Sequence, residues 1–500
     1  MDFKTFKNSV NGELFDTEKH RNGINPATLE KNPDVPIATR EDLEKAVNGA
    51  KAAFKKWSNT PYTERQKIVM AFAQGLEDVK EEFAEMLTQE QGKPASRRNS
   101  SCCASHAALE IDGAVTWLRG LAQLDGTKEQ IIEDTDEKRV TVRYTPIGVV
   151  GAIVPWNFPV QIAAVKIAPA LLTGNCLILK PSPFTPYCGL KLAELAQNYF
   201  PPGVFQCLSG DDNLGPWMTS HPNIDKISFT GSSATGKLVA ASCSKTIKRM
   251  TLELGGNDPA IVCADVDIPS TASTIATFAF LNSGQVCATL KRIYIHESIF
   301  NEFRDAMVAY TKTLVVGAGT DASTFCGPIQ NSMQYERVKD FFADIEKQGQ
   351  KVAVGGKNEK TGGYFITPTI IEKPAETSRL VVEEPFGKIS VPLPSLRSKK
   401  LTKISQGPIL PIMSWSTEED VIKRANNTKM GLGASVWSHD LVQAERIARQ
   451  LEAGNVWVNN HLDLSFKTPF GGHKESGIGV EGGVAGMRGM CNSQTISIKK

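Results

Sequence analysis

Cys287 stands in LNSGQVCATLKR, a small and polar loop that runs into the apolar stretch LKRIYIH. A free thiol has a pKa of about 8.5, so only a few per cent is thiolate at pH 7; amide dipoles or a nearby lysine lower that value. A buried structural role is the ordinary fate of a cysteine and is assigned to the other nine. Glu253 in TLELGGNDPAIV is flanked by leucines. A carboxylate there must be paired or carry a raised pKa, which suits a general base, although an outward-facing strand residue is commoner. Asn157 in VPWNFPV closes an apolar run with an amide that can donate to an anionic oxygen, or can simply make a turn. Lys180 in LILKPSPFTP closes another, at the end of a strand where open α/β sheets bind ligands. ISFTGSSATGK puts Gly231 and Gly236 between a strand and a helix, where backbone N–H groups favour phosphate. The spacing nearly spells G-x-x-x-x-G-K-[ST], but Leu238 replaces the hydroxyl that would hold Mg²⁺, so a triphosphatase loses its metal ligand. A glycine turn that packs a helix on a sheet serves the same pattern.

The elements that must position these residues alternate. From residue 148 to about 261 the strands VVGAIVP, CLILKPS, VFQCLSG, KISFTGS and DPAIVCA are separated by helical stretches, which implies a parallel, doubly wound sheet. A second α/β stretch runs from about 278 past 459. The first 120 residues are mostly helical in pattern: REDLEKAVNGAKAAFKKWS, then TERQKIVMAFAQGLEDVKEEFAEMLTQEQGK with a glycine stop. Residues 131–144 read as a hairpin around a polar TDEK turn, and such a hairpin exposes edges that must pair.

With 500 residues, two or three domains are expected. Hydrophobic residues at 41% and charged residues at 22% fit a soluble globular protein. A net charge of +2 gives no global pull toward nucleic acid. The longest apolar stretch, near PIGVVGAIVPW, is about half of a membrane span, and MDFKTFKNSV lacks the apolar core of a signal peptide. The cysteines show no CxxC and no zinc spacing, so no metal and a reduced, cytoplasmic compartment are expected.

In order, the chain carries PWNFP, KPS, FTGS, ELGG, GQVC, EEPFG, GNVWVN and PFGG. Over essentially its whole length it resembles the NAD(P)-dependent aldehyde dehydrogenase superfamily. The resemblance implies an α/β, aldehyde dehydrogenase-like fold. An NAD(P)-binding domain would use residues 1–123 and 146–255, a catalytic domain 256–473, and an oligomerisation arm 124–145 and 474–500, in a homodimer or homotetramer. Cys287 matches the nucleophile, whose thiolate would attack an aldehyde carbonyl and form a thiohemiacetal. Asn157, with the Cys287 N–H, would hold the oxyanion. Hydride transfer to the nicotinamide would leave a thioester, and Glu253 would activate the water that releases the acid. Lys166 follows the family pattern on the helix after Asn157 and is grouped with these three. NAD or NADP would be bound by Pro155, Trp156, Lys180, Ser182, Gly215, Phe229, Thr230, Gly231, Ser232, Leu254, Gly255, Glu384 and Phe386. Of these, Gly231 and Ser232 would receive the pyrophosphate, Lys180 the adenosine ribose, and Glu384 and Phe386 the nicotinamide ribose and ring. The Gly-Gln-Val approach to Cys287 is expected to be small and flexible, so that ring and carbonyl both reach the sulfur.

The chain departs from the family in three places. Pro183 stands where many NAD-preferring relatives carry a glutamate for the ribose 2′-hydroxyl, which opens the site to NADP. Val165, beside Ile162, stands where relatives acting on acidic semialdehydes carry arginine; with Leu464 these residues point to an uncharged aliphatic or aromatic aldehyde. The segment 388–407 separates EEPFG from the strand GPILPI and carries five basic residues, Lys388, Arg397, Lys399, Lys400 and Lys403, with no acid. It reads as a translated, unspliced intron rather than as a basic loop. Gly387 and Lys388 can be encoded GGTAAG, Leu401 and Thr402 can contain CTAAC, Gln406 can be CAG, and excision restores EEPFGPILPI. Rival functions are a cofactor-independent thiol esterase, a non-catalytic scaffold, and an isoform impaired by the segment.

Overall fold

The structure, a computed structural model, describes residues 1–95, 106–124, 126–356, 362–383 and 407–500. Five buried parallel strands form the centre of the first sheet, in the order Phe205–Cys207, Cys176–Lys180, Val149–Ile153, Lys226–Thr230 and Arg249–Glu253. Valine, leucine and isoleucine fill both faces, as strands covered by helices on two sides require. Each such side chain contributes about 1.5–3 kcal/mol on burial. The antiparallel strands Asn8–Val10 and Glu13–Phe15 complete one edge and Gly477–Ile478 the other.

A second sheet has seven strands in the order Lys351–Val354, Thr369–Glu372, Ile409–Trp415, Leu290–His296, Asp258–Val262, Gly433–Trp437 and Asn455–Val458. All neighbours are parallel except the first pair. DPAIVCA therefore belongs to this second sheet and not to the first run of strands. Only four residues separate Glu253, which ends a strand of the first sheet, from Asp258, which begins a strand of the second. One short connection thus joins the carboxyl end of a first-sheet strand to the amino end of a second-sheet strand.

The N-terminal region departs from the helical reading. Four short strands, Asn8–Val10, Glu13–Phe15, His20–Ile24 and Lys31–Pro36, precede the first helix. Helix Arg40–Trp57 is fixed by a capping box between Thr39 and Asp42. The long helical stretch that follows is two helices, Tyr62–Asp78 and Lys80–Gln91, broken at Val79, whose φ of −115° leaves the helical region. Phe72, Leu76, Phe83 and Leu87 keep the apolar period across the break, so the pattern does not reveal it. The glycine stop is real: Gly92 takes a φ of +88°.

The hairpin forms from Gln130–Asp134 and Lys138–Pro146, and its open edge pairs with the C-terminal strand Cys491–Lys499 of the same chain, from Lys138 opposite Lys499 to Pro146 opposite Cys491. Among the described residues no helix is long and apolar enough to cross a membrane, and no group of three or more His, Cys, Asp or Glu could hold a metal ion. The segment 388–406, with Glu384 and Phe386, lies outside the described residues.

Candidate active site

The Cys287 loop leaves helix Ile268–Phe280 through Asn282, Ser283 and Gly284, at φ of +50°, +57° and +73°. Left-handed backbone at two non-glycine residues costs about 1–2 kcal/mol each. Side chains and packing hold it. Ser283 Oγ donates to the Gly327 carbonyl at 2.6 Å, and Asn282 Nδ2 reaches the Asn157 carbonyl at 3.4 Å. At Gly284 a Cβ would stand 2.7 Å from the Gly407 carbonyl oxygen, so only glycine fits.

Gln285 decides the character of the loop. It is fully buried; Nε2 donates to the carbonyls of Asn282 (2.9 Å) and Pro328 (3.2 Å), and Oε1 accepts from the Gln330 N–H at 2.9 Å. The Gly-Gln-Val approach is therefore pinned, against the expectation of flexibility. After it, Lys291 Nζ donates to the carbonyls of both Cys287 and Gly256, the latter at 2.7 Å. Gly256 lies three residues past Glu253, so Lys291 ties the thiol loop to the strand end that carries the acid. His461, kept neutral because burial pushes its pKa down to about 3, meets the Ala288 carbonyl at 2.7 Å.

Cys287 is half-buried, whereas Cys176, Cys188, Cys207, Cys243, Cys263, Cys326 and Cys491 are buried. Burial pushes the thiols of Cys176, Cys263 and Cys326 up to about 12, which keeps them protonated and inert. Cys102 and Cys103 lie outside the described residues.

Asn157 sits between strand Val149–Ile153 and helix Pro159–Leu172, which starts on proline. The residue is 1% exposed; Nδ2 donates to the Gln285 carbonyl at 2.9 Å, and Oδ1 is without a partner among the described residues. Glu253 ends its strand opposite Thr230. It is 3% exposed, and neither carboxylate oxygen has a hydrogen-bond partner among the described residues. Burial pushes its pKa well above the usual carboxylate range; the Glu481 charge adds to the rise and Lys166 opposes it.

Lys166 is fully buried. Its Nζ pairs with Glu481 Oε1 and donates to Ser228 Oγ at 3.1 Å; Ser228 donates to the same Glu481 oxygen at 3.0 Å. Sequence reasoning missed Glu481, Ser228, Lys291 and His461. Each owes its place to a fold contact across a long stretch of chain, and none carries a local signal.

The cofactor candidates gather at the carboxyl end of the first sheet. Lys180 is buried at its strand end, and Gly215 leaves room beside it: a Cβ there would stand 3.8 Å from Lys180 Cε. Burial, helped by the Arg21 charge, pushes Lys180 down to about 8. Ser182 Oγ accepts from the Phe184 N–H at 3.2 Å. Phe229, Thr230 and Leu254 are buried, and Thr230 Oγ1 is buried without a partner among the described residues. Pro155 and Trp156 lie on the turn into the Asn157 helix. Ser232 caps helix Ser233–Ser244 by accepting from the Thr235 N–H. The Gly231 N–H is already used, donating to the Glu253 carbonyl at 3.0 Å. The Gly255 carbonyl accepts from Ser476 Oγ. At Gly236 a Cβ would stand 2.5 Å from Leu254, so that glycine serves helix packing. An open polar cradle at strand ends, with a buried cation and an orphaned hydroxyl, fits a dinucleotide.

The half-buried Cys287 thiol thus stands on a loop tied through Lys291 to the strand end that carries a carboxylate of raised pKa, next to a parallel sheet of the kind that binds nucleotides. The aldehyde dehydrogenase family model matches residues 15–394 and 401–496. The chain is 40% identical over 500 residues to the putative aldehyde dehydrogenase FUS7 of Gibberella moniliformis, covering 100% of both. The crystal structure of an E. coli NADP dependent enzyme superposes with a TM-score of 0.91 at 30% identity, covering 100% of this chain and 99% of that one. The NAD⁺ complex of aldehyde dehydrogenase from Bacillus cereus gives 0.89 at 30% identity, covering 99% and 96%. The chain belongs to the aldehyde dehydrogenase family and is an NAD(P)-dependent aldehyde dehydrogenase.

Proposed function

We propose that the chain oxidises an uncharged aliphatic or aromatic aldehyde to its carboxylic acid through covalent attachment to Cys287. The observation that carries this reading is the bond from Asn157 Nδ2 to the Gln285 carbonyl, which ties an amide donor to the loop of the one described cysteine that is not buried. The Cys287 sulfur bonds to the carbonyl carbon, and the carbonyl oxygen becomes an oxyanion held by Asn157 Nδ2 and the Cys287 N–H. Bound NAD or NADP supplies the acceptor for the hydride that then leaves this carbon. The product is a thioester on Cys287. Glu253, unpaired and of raised pKa, takes a proton from water as the water oxygen attacks; the C–S bond breaks and the thiolate returns. Lys166 acts on Glu253 through charge, with Glu481, and not by touching the substrate.

The cofactor would be held by Lys180, Ser182, Gly215, Thr230, Gly231 and Ser232, lined by Pro155, Trp156, Phe229, Leu254 and Gly255; Glu384 and Phe386 complete the set from the family resemblance. Ile162 and Val165, half-buried on the Asn157 helix, with the exposed Leu464, leave the substrate side without an arginine to pair an acid. The domain limits 1–123 with 146–255, 256–473, and 124–145 with 474–500 belong to the same proposal. So does a cytoplasmic homodimer or homotetramer, with the arm strands Gln130–Asp134 and Cys491–Lys499 offering open edges.

The test is initial rates of reduced-nicotinamide formation with a panel of neutral and acidic aldehydes, using NAD and NADP in parallel. Neutral aldehydes should lead, and Cys287→Ala should abolish turnover while still binding cofactor. An alanine variant with more than a trace of turnover, or preference for an acidic semialdehyde, would remove the corresponding part.

A further inference from the structure

A fully buried ion pair stands behind Asn157, contributed by residues from outside the parallel sheet. Lys93 follows the Gly92 helix stop, and Glu110 lies on helix His106–Ala122; both side chains are 0% exposed. Lys93 Nζ pairs with Glu110 Oε2, donates to the Asn157 carbonyl at 2.7 Å, and sits 3.4 Å from the centre of the Phe158 ring. An ammonium has three N–H donors, and these three acceptors use them all. Glu110 Oε1 accepts from the Val160 N–H at 2.8 Å and the Gln161 N–H at 3.2 Å. The helix that begins at Pro159 has no side-chain cap of its own at Phe158, so Glu110 caps it from a different helix.

The pair therefore grips the chain on both sides of the Asn157–Phe158 peptide. Lys93 fixes the direction of the Asn157 carbonyl, and Glu110 fixes the start of the helix two residues on. With that peptide held, Asn157 orients its amide by side-chain rotation alone. The other contact to the same carbonyl, from Asn282 Nδ2 at 3.4 Å, is long and comes from the thiol loop itself. Stability gives little reason for such a pair, because buried ion pairs replaced by neutral groups of similar volume often lose nothing.

We propose that Lys93 and Glu110 are positioning residues that aim the Asn157 amide at the oxyanion, an inference that rests on Asn157 being the oxyanion donor. Lys93→Met alone would strand a buried carboxylate and threaten folding, so the variant of choice is Lys93→Met/Glu110→Gln. The glutamine oxygen still accepts from the Val160 and Gln161 N–H groups, while the grip on the Asn157 carbonyl and the cation over the Phe158 ring are lost.

Single-turnover formation of reduced nicotinamide should fall about 10- to 100-fold, as a displacement of about 1 Å predicts. Cofactor affinity and the rate of Cys287 alkylation by iodoacetamide should stay within about threefold. The cycle with Asn157→Ala separates positioning from general damage. Asn157→Ala alone should slow the same step, and adding the paired variant to it should cost little more. A paired variant with the native rate would overturn the inference, as would a loss that multiplies fully in the Asn157→Ala background or extends to alkylation and cofactor binding. If Asn157→Ala itself leaves hydride transfer unchanged, the oxyanion role of Asn157 fails instead, and the inference falls with it.

Discussion

The side-chain amide of Asn157 donates to the carbonyl oxygen of Gln285 at 2.9 Å. That bond joins a turn at the end of a first-sheet strand to the loop two residues before Cys287. The amide is anchored to the Cys287 loop, and the loop depends on Gln285 for its shape.

Gln285→Ala should therefore damage chemistry as well as stability. It strands the Gln330 N–H and opens a cavity; each stranded buried group costs about 1–3 kcal/mol. Thermal unfolding should move to lower temperature, and single-turnover hydride transfer should fall on the order of a hundredfold. A lower melting temperature with an unchanged transfer rate would show that the loop holds its shape without this side chain.

Glu253→Gln should slow thioester release more than acylation, so a burst of reduced cofactor should survive or grow under pre-steady-state mixing. Its raised pKa also sets a sign for stability. Stability from the protonated carboxyl is present below the unfolded-state pKa and is lost as pH rises through the folded one. Glutamine avoids that loss, so the variant should melt higher than the native protein at pH 8, with the gain shrinking toward pH 4. Removing the Glu481 charge with Glu481→Gln should shift the acid limb of thioester release to lower pH. A burst that vanishes while the steady rate is unchanged would contradict the base assignment.

Lys180, pushed down to about 8 by burial beside Arg21, loses its charge as pH rises through that value. Pro183 supplies no acid for a 2′-hydroxyl, so NADP should be accepted appreciably at pH 7. The KM for NADP should then climb between pH 7 and pH 9 more steeply than that for NAD. A preference for NAD beyond about a thousandfold, near 4 kcal/mol, would mean that another residue reads the 2′ position.

Deletion of residues 388–407 should give a protein at least as stable and more active. Gly407 opens the run into strand Ile409–Trp415, and its carbonyl abuts Gly284 in the thiol loop. In the deleted form Gly387 inherits that place. Loop length itself costs little, about 0.6 kcal/mol per doubling. The measurement is turnover and melting temperature of both forms, with sequencing of the transcripts. Uniform retention of the segment in transcripts, together with lower activity of the deleted form, would end the intron hypothesis.

Asn157, Glu253 and Lys180 were marked as candidates in the sequence because each stands at or near the end of a short apolar run, and Cys287 because it stands in a small polar loop just before one. The alternation of those runs also yielded the parallel sheet. Composition could not divide DPAIVCA from the first sheet, since a buried parallel strand reads the same in either one; pairing with Leu290–His296 and Gly433–Trp437 decided it. The break at Val79 escaped for the same reason, since the apolar period continues through it. The rigidity of the Gly-Gln-Val turn was hidden as well, because the acceptors of Gln285 include Pro328, far along the chain. Glu481, which meets Lys166 across 315 residues, and the Lys93–Glu110 pair behind Asn157 carry no local mark at all. Sequence fixes chemistry where a residue's own neighbours constrain it. Partners of buried charges are chosen by packing, and a lone lysine or glutamate in a helix looks the same whether it meets water or a buried turn.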